Sequence, residues 1–345
     1  MASAASKMDT LTVTARLFLP VLVGSAGYAA WRVDWQTAVR NFVSGPGRNS
    51  RIALLVFVFF NWKNMPFAWT FRVFYAIIYH NVLRRAPELG PRSLFKPMIT
   101  PTHAPLLETD YNLHKSNSTY FTDLDISRTH LVSYICRAGL KKLSENAKSK
   151  MVMDPTTGKV AQGGLGIMLG SVACSFKKEI PSYKGYELWS KVVSWDRKWM
   201  YIVTHFVPKG TARPSEWLDP KCAKMRTRKA GQPAPDFEKK IYATAVSKYV
   251  FKIGRLTVSP ATILENCNLL PERPGGWLSG ENQIGDESAD VSDVDLSVEG
   301  EWDWRRVEAQ RRQGMEYVTG FKTVDEMHTL FDGGKDGALA YCGPG

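Results

Sequence analysis

Glu108-Thr-Asp-Tyr-Asn-Leu-His-Lys-Ser-Asn-Ser-Thr-Tyr120 is the stretch on which the reading of this 345-residue chain turns. It packs Glu108, Asp110, Asn112, His114 and Asn117 into a short loop. A helix follows Asn117, with Tyr120, Leu124, Leu131, Ile135 and Leu143 near helical spacing. A helix N-terminus offers unpaired N–H groups and the positive end of a dipole, which suits a carbonyl oxygen gaining negative charge during attack. A carboxylate in the preceding loop can act as nucleophile or hold a water as general base. Asp110 is the candidate for that role, with His114 and Asn117 available to orient substrate or polarise the carbonyl. The same residue types also gather before helices simply as caps, so residue chemistry alone leaves both readings open.

Working outward, the texture changes beyond Gly166 to β-rich runs. These are IMLGSVACSFKKEI (167–180), YELWSKVVSWD (186–196), KWMYIVTHFVPKG (198–210) and, last, KYVFKIGRLTVSP (248–260). Short turns between the first three, at 181–185 and 196–198, imply an antiparallel sheet. One long helix followed by such strands predicts an α+β layer with the sheet packed on the helix, the domain running over 98–270. Trp189, Trp195 and Trp199 sit among strand residues and read as core or sheet-face packing. A polar insertion at 211–240 carries Lys221, Lys224, Arg226, Arg228 and Lys229, suited to the phosphates of a coenzyme A or phosphopantetheine carrier, to a membrane surface, or to solvent as a mobile loop.

The first 97 residues read differently. Apolar segments lie near 17–31 and 52–71; the first is short and carries Pro20. A spanning helix needs roughly 20 mostly apolar residues, which the second segment reaches if Lys63 snorkels to one interface with Trp62 and Trp69 as anchors. The stronger run begins too late for a cleaved signal, which predicts a retained membrane-anchoring helical region. Arginines flank the runs on both sides and leave orientation open. Residues 73–89 look amphipathic, and Pro87, Pro91, Pro97, Pro101 and Pro105 then predict an irregular linker.

The net charge of +12 hides a gradient. Residues 1–99 hold 12 Lys and Arg against 3 acids, residues 100–270 hold 26 against 14, and residues 271–345 hold 7 against 16. Nine acids with no Lys or Arg fall within 281–303, a block expected to be solvated, and a helix from about 302 to 318 follows it in an acidic linker and tail spanning 271–345. Five scattered cysteines with no C-x-x-C imply neither a disulfide framework nor a zinc site, and no metal or cofactor is expected. There is no G-x-S-x-G elbow, P-loop, H-E-x-x-H or Rossmann glycine pattern, and no nucleic-acid-binding motif, so no nucleic-acid partner is expected.

Asp110-Tyr-Asn-Leu-His-Lys-Ser-Asn-Ser-Thr-Tyr120, with Arg128 eight residues later, resembles the D-x-x-x-H-x-N-N-x-x-Y signature of hot-dog-fold acyl thioesterases of the 4-hydroxybenzoyl-CoA thioesterase type. It is similar in particular to the membrane-anchored thioesterase-superfamily member 6 group and to fungal proteins placed beside biosynthetic clusters. The resemblance covers roughly residues 100–265 and implies a hot-dog fold, a long central helix wrapped by an antiparallel sheet. It puts Asp110 at the family's catalytic aspartate, His114 at the motif histidine, Asn117 at the second asparagine and Tyr120 at the tyrosine entering the central helix. It implies hydrolysis of an acyl-CoA or acyl-carrier thioester in lipid or secondary-metabolite biosynthesis. It further implies a homo-oligomer, dimer or tetramer, with the acyl channel at subunit interfaces, and a membrane location such as the endoplasmic reticulum. Many catalytic relatives have Gly before the histidine and Asn-Asn after it, where this chain has Leu113 and Ser116. Those departures motivate the rival function, a non-catalytic acyl-thioester-binding or scaffolding protein; a hot-dog hydratase would instead need an acid–base pair acting on the carbon skeleton. Asn117-Ser-Thr119 also reads as a glycosylation sequon, which a buried loop would block.

Overall fold

The computed structural model of the chain describes residues 24, 25, 27, 28, 31–85, 88–228, 237–277, 291–327 and 340. The chain divides into two compact units, Met1–Trp62 and Lys63–Gly345. In the first, helices α1 (Trp35–Ser44) and α2 (Arg48–Asn61) form a hairpin. Asp34 caps α1 by accepting from the N–H groups of Gln36 and Thr37, and Arg51 closes the turn by donating to the carbonyls of Asn41 and Gly45 at 3.0 and 3.2 Å. Most of the segment near 17–31, and residues 281–290 of the acidic block, lie outside the described residues.

The expected apolar span at 52–71 is not one helix. Helix α2 ends at Asn61, a 3-10 turn covers Trp62–Asn64, and Phe67 takes a left-handed φ of 64° before α3 (Ala68–Ile78) begins. Among the described residues no single helix is long and apolar enough to cross a membrane; Arg48–Asn64 and Ala68–Leu83 meet that test of length and composition only as a pair. Nor does Lys63 snorkel outward, since its side chain is 3% exposed and ion-paired inside the second unit.

In that unit the proline-rich stretch is more regular than its composition suggests, because β1 (Met98–His103) forms within it as an edge strand. Helix α4 (Tyr120–Ile135) follows the Asp110 loop and breaks at Cys136, so the predicted continuation to Leu143 is a separate helix, α5 (Arg137–Ser144), ahead of the one-turn α6 (Asn146–Ser149). The strands are β2 (Leu165–Phe176), β3 (Gly185–Trp195), β4 (Met200–Pro208), β5 (Ala243–Ile253) and β6 (Leu256–Val258). All pairings are antiparallel in the order β1-β3-β4-β5-β2, with β6 on β5. The last predicted strand is thus a hairpin turning at Gly254, whose φ is +58°.

This is the α+β arrangement anticipated, a long helix lying on an antiparallel sheet. The alternation along β3 buries Tyr186, Leu188, Ser190 and Val192 on the face toward α4, where Leu124, Leu131 and Ile135 meet them together with Ile202, Phe206 and Phe251. Each such apolar side chain contributes about 1.5–3 kcal/mol on burial. Helix and sheet approach closely at mid-length because the facing residues are small. Ser127 Oγ lies 2.8 Å from Ser190 Oγ, which lies 2.7 Å from Thr204 Oγ1, and the buried Arg128 donates to Ser247 Oγ at 2.6 Å. These hydroxyls and the Arg128 nitrogen that meets Ser247 thereby find partners, while the Arg128 Nε has none among the described residues. After α7 (Pro260–Glu265), the tail returns as α8 (Trp304–Glu326) and docks on the other face of β3. Gly314 allows that docking: a Cβ there would stand 1.9 Å from the Val193 carbonyl oxygen.

The π-helical turn Tyr79–Leu83 that follows α3 is fastened to α4 partly through His80 and His130, whose Nε2 and Nδ1 are 2.9 Å apart. Burial pushes both imidazoles down to about 4 from an ordinary 6.5, helped at His80 by His130 and Arg84 and at His130 by Arg72. Both are neutral in the folded chain at pH 7 but take up protons near pH 6.5 when it unfolds. The unfolded state therefore binds more protons between those values, and stability, intact above about pH 6.5, falls as pH drops toward 4. Melting temperatures taken by calorimetry from pH 7.5 to 4.5 should show this decline, and a His80→Phe, His130→Gln chain should show a flatter one.

Candidate active site

The loop between β1 and α4 is built by backbone closure. Leu106–Glu108 forms a 3-10 turn, Thr109 bridges to Lys115, and the N–H of Asp110 donates to the His114 carbonyl at 3.0 Å while the N–H of Leu113 returns to the Asp110 carbonyl at 3.0 Å. The turn so formed needs a left-handed residue, and Leu113 supplies it at φ 65°. That is a conformation glycine takes without steric cost, so the residue type found in many catalytic relatives at this position has a backbone reason. Lys115 N–H then donates to the Ile180 carbonyl at 2.9 Å and His114 bridges to Pro181, tying the loop to the segment after β2.

Asp110 and His114 are brought together. Asp110 Oδ1 accepts the Asn112 N–H at 2.9 Å and lies 3.7 Å from His114 Nδ1, while His114 Nε2 lies 3.6 Å from Glu179 Oε1. Both side chains are about one-fifth exposed, open enough for a substrate and a water to reach them. Asn117 is exposed at the first position of the Asn117–Thr119 turn that leads into α4. Helix α4 has no side-chain cap, so the polar cluster ahead of it is not there to cap it. Glu179 entered the site by tertiary approach alone; it lies 65 residues beyond His114 and no local signal marked it.

Beneath the loop lies a group of charges that spacing did not reveal. Lys63 Nζ is 2.9 Å from Glu108 Oε1 and 2.9 Å from Asp123 Oδ1, and it also donates to the His103 carbonyl at 2.9 Å. Lys115 Nζ is 2.5 Å from Glu108 Oε2 and 3.1 Å from Asp123 Oδ2, Tyr186 Oη donates to Asp123, and Arg72 approaches it at 3.3 Å. None of the two lysine and two carboxylate side chains is more than 3% exposed. Burial alone would push the Asp123 carboxyl up; Lys63, Lys115 and Arg72 outweigh it and hold the carboxyl well below the usual range. Burial, with the neighbouring Lys115 ammonium, draws Lys63 below its ordinary value against the opposing pull of Asp123 and Glu108. The Tyr186 hydroxyl is raised by burial and by the two carboxylates beside it, which keeps it a donor. The one signal for this cluster was a lysine interrupting an apolar run.

The profile of the thioesterase-like superfamily matches residues 104–239, which include the Asp110 loop, α4 and strands β2 to β4. Thioesterase poxG of Penicillium oxalicum is 35% identical over 292 residues, covering 82% of this chain and 86% of that protein. The chain belongs to the thioesterase-like superfamily. A probable thioesterase of Emericella nidulans, atnL, is 32% identical over 83% of this chain and 89% of its own, and thioesterase lcsJ of Purpureocillium lilacinum is 28% identical over 79% and 89%. A gentisyl-coenzyme A thioesterase structure aligns with 49% of this chain and 98% of its own at 12% identity, with a TM-score of 0.29, too loose a superposition to assign geometry. As a member of this superfamily the protein is a thioester hydrolase.

Removing one partner of a buried charge group strands the others. Lys115→Met in this thioesterase should cost about 3–5 kcal/mol in urea unfolding. Neutralising its partner as well, in Lys115→Met with Glu108→Gln, should recover part of that loss; a double variant no more stable than the single one would show that the pair is not what Lys115 satisfies.

Proposed function

We propose that the protein hydrolyses an acyl-CoA or acyl-carrier-protein thioester at the Asp110–His114 loop, as a homo-oligomer at a membrane surface. The observation that carries the catalytic part is the approach of Asp110 to His114, at 3.7 Å, on a loop closed at the head of the central helix. In this reading Asp110 takes a proton from water as the water oxygen attacks the thioester carbon. The N–H groups opening the Asn117–Thr119 turn have no helical acceptor and are the donors available to the oxyanion. The C–S bond breaks on collapse, the acid is released, and the sulfur leaves as a thiol on taking up a proton. Asp110 acting as nucleophile would give the same products through an anhydride that water then opens. His114, between Asp110 and Glu179, orients the carboxylate, and Asn117 serves to hold the substrate carbonyl.

Exposed apolar residues support the remaining parts. Strand β2 is a 12-residue sheet edge with Leu165, Ile167, Met168 and Leu169 exposed, a surface that would pair with a second copy. In the first unit helix α2 exposes Leu54, Leu55, Val56, Phe59 and Phe60; in the second unit, taken by itself, α3 exposes Phe71, Phe74 and Ile78. Apolar side chains in such number favour a lipid interface, with the endoplasmic reticulum membrane as the proposed location.

Purified protein offered a panel of acyl-CoA and acyl-carrier thioesters should release free thiol, and Asp110→Asn should lower kcat by about 10²–10⁴-fold. No release above that variant would overturn the catalytic assignment. Met168→Asp should shift the protein toward monomer in light scattering, and Phe59→Glu with Phe71→Glu should abolish co-flotation with phospholipid vesicles.

A further inference from the structure

The insertion at 211–228 is a strap over a cavity of about 770 Å³, within the range of small-molecule sites. Ile99 of β1, Trp189 of β3 and the buried Leu131 and Ile135 of α4 supply its apolar wall. Trp217, Leu218 and Met225 of the strap also line it, and the latter two are exposed at 39% and 53% although large and apolar. The strap is held at several points. Asp219 pairs with Arg84, Glu216 pairs with Arg92, and the Arg228 N–H donates to the Pro214 carbonyl at 2.9 Å. None of Asp110, His114 and Asn117 lines this cavity.

Its charge is one-sided once existing pairs are counted. Three acids line it, and each is engaged: Asp219 and Glu216 by the arginines just named, and Glu187 by the Trp189 indole N–H at 3.2 Å and the Gly210 N–H at 3.1 Å. Lys209, Arg213, Lys224 and Arg226 also line it, and among the described residues none of the four has a carboxylate partner. An apolar interior beside several unpaired cations fits a ligand with an apolar body and an anionic head.

We infer that this cavity binds a single-chain anionic amphiphile, its chain between the strap and the β1–β3 wall and its head against the strap cations. A free fatty carboxylate and a lysolipid phosphate share that chemistry. The site stands apart from the Asp110 loop and does not depend on the hydrolytic reading.

The test measures binding of hexadecanoate, hexadecyl phosphate and neutral hexadecanol to the full chain by titration calorimetry below their aggregation limits. At least one anion should bind one-to-one and at least tenfold more tightly than the alcohol; whichever anion is tighter indicates the natural source. Lys224→Glu with Arg226→Glu should weaken the anion by about tenfold and leave the alcohol unchanged. Leu218→Asp with Met225→Asp should weaken both by about tenfold. All four positions are exposed, so unchanged melting curves should confirm folding. A diazirine-bearing hexadecanoate should crosslink to 211–228 or to β1. Equal affinity for the alcohol, indifference to both variants, or crosslinking confined to the apolar helices before residue 84 would overturn the inference. Thiol release is not measured in any arm, so this outcome and that of the Asp110 test are separate.

Discussion

Two lysines and two carboxylates, Lys63, Lys115, Glu108 and Asp123, meet out of contact with water between the start of α3, the Asp110 loop and the first turn of α4. Ions in such a place are costly, and they persist only where each charge is met and the remaining hydrogen-bonding capacity is filled. Here the His103 carbonyl, Tyr186 hydroxyl, Arg72 guanidinium and Asn64 amide complete the set. The segment before α3, the end of β1, the loop and the central helix therefore cannot shift independently without stranding a charge. The loop that carries Asp110 and His114 inherits its position from that constraint, because Glu108 and Lys115 are its two ends.

The same constraint explains why the apolar run at 52–71 does not continue as one helix. Lys63 reaches inward to the carboxylates, the chain turns at Trp62–Asn64 and again at Phe67, and α3 is laid against α4. Hydropathy alone weighs Lys63 as a defect in a span, whereas its contacts make it a structural ion.

Around this anchor the fold divides its labour between two regions of the second unit. The Asp110 loop and the head of α4 hold groups suited to attack at a carbonyl, while the far end of α4, with β1, β3 and the strap, encloses an apolar space rimmed by cations. Of the basic insertion, which in sequence could serve a phosphate carrier, a membrane or solvent, residues 211–228 are held by Arg84 and Arg92 as a cover for that space, while 229–236, with Lys229, lie outside the described residues.

Local pattern was enough for the features that are local in origin. Asp110 and His114 are four residues apart in one turn, so their proximity is a property of the loop. The β-rich texture of 186–210, cut by the turn at 196–198, reports strands β3 and β4, and helical spacing around Leu124 and Leu131 reports the face of α4. The resemblance carried by residues 110–120 then pointed to the superfamily to which the chain belongs. What the sequence could not decide depends on groups distant along it. Lys63 and Asp123 are 60 residues apart, and Arg84 and Asp219 are 135 apart, and no periodicity encodes either meeting. The strand at 98–103 escaped because prolines mark breaks wherever they occur, yet an edge strand has a side whose N–H groups need no partner. The break at Cys136 escaped because α5 turns to rest Gly139 on α7, a contact set by tertiary approach. Local chemistry thus named the candidate groups of the loop, and long-range charge pairing decided where the loop is held.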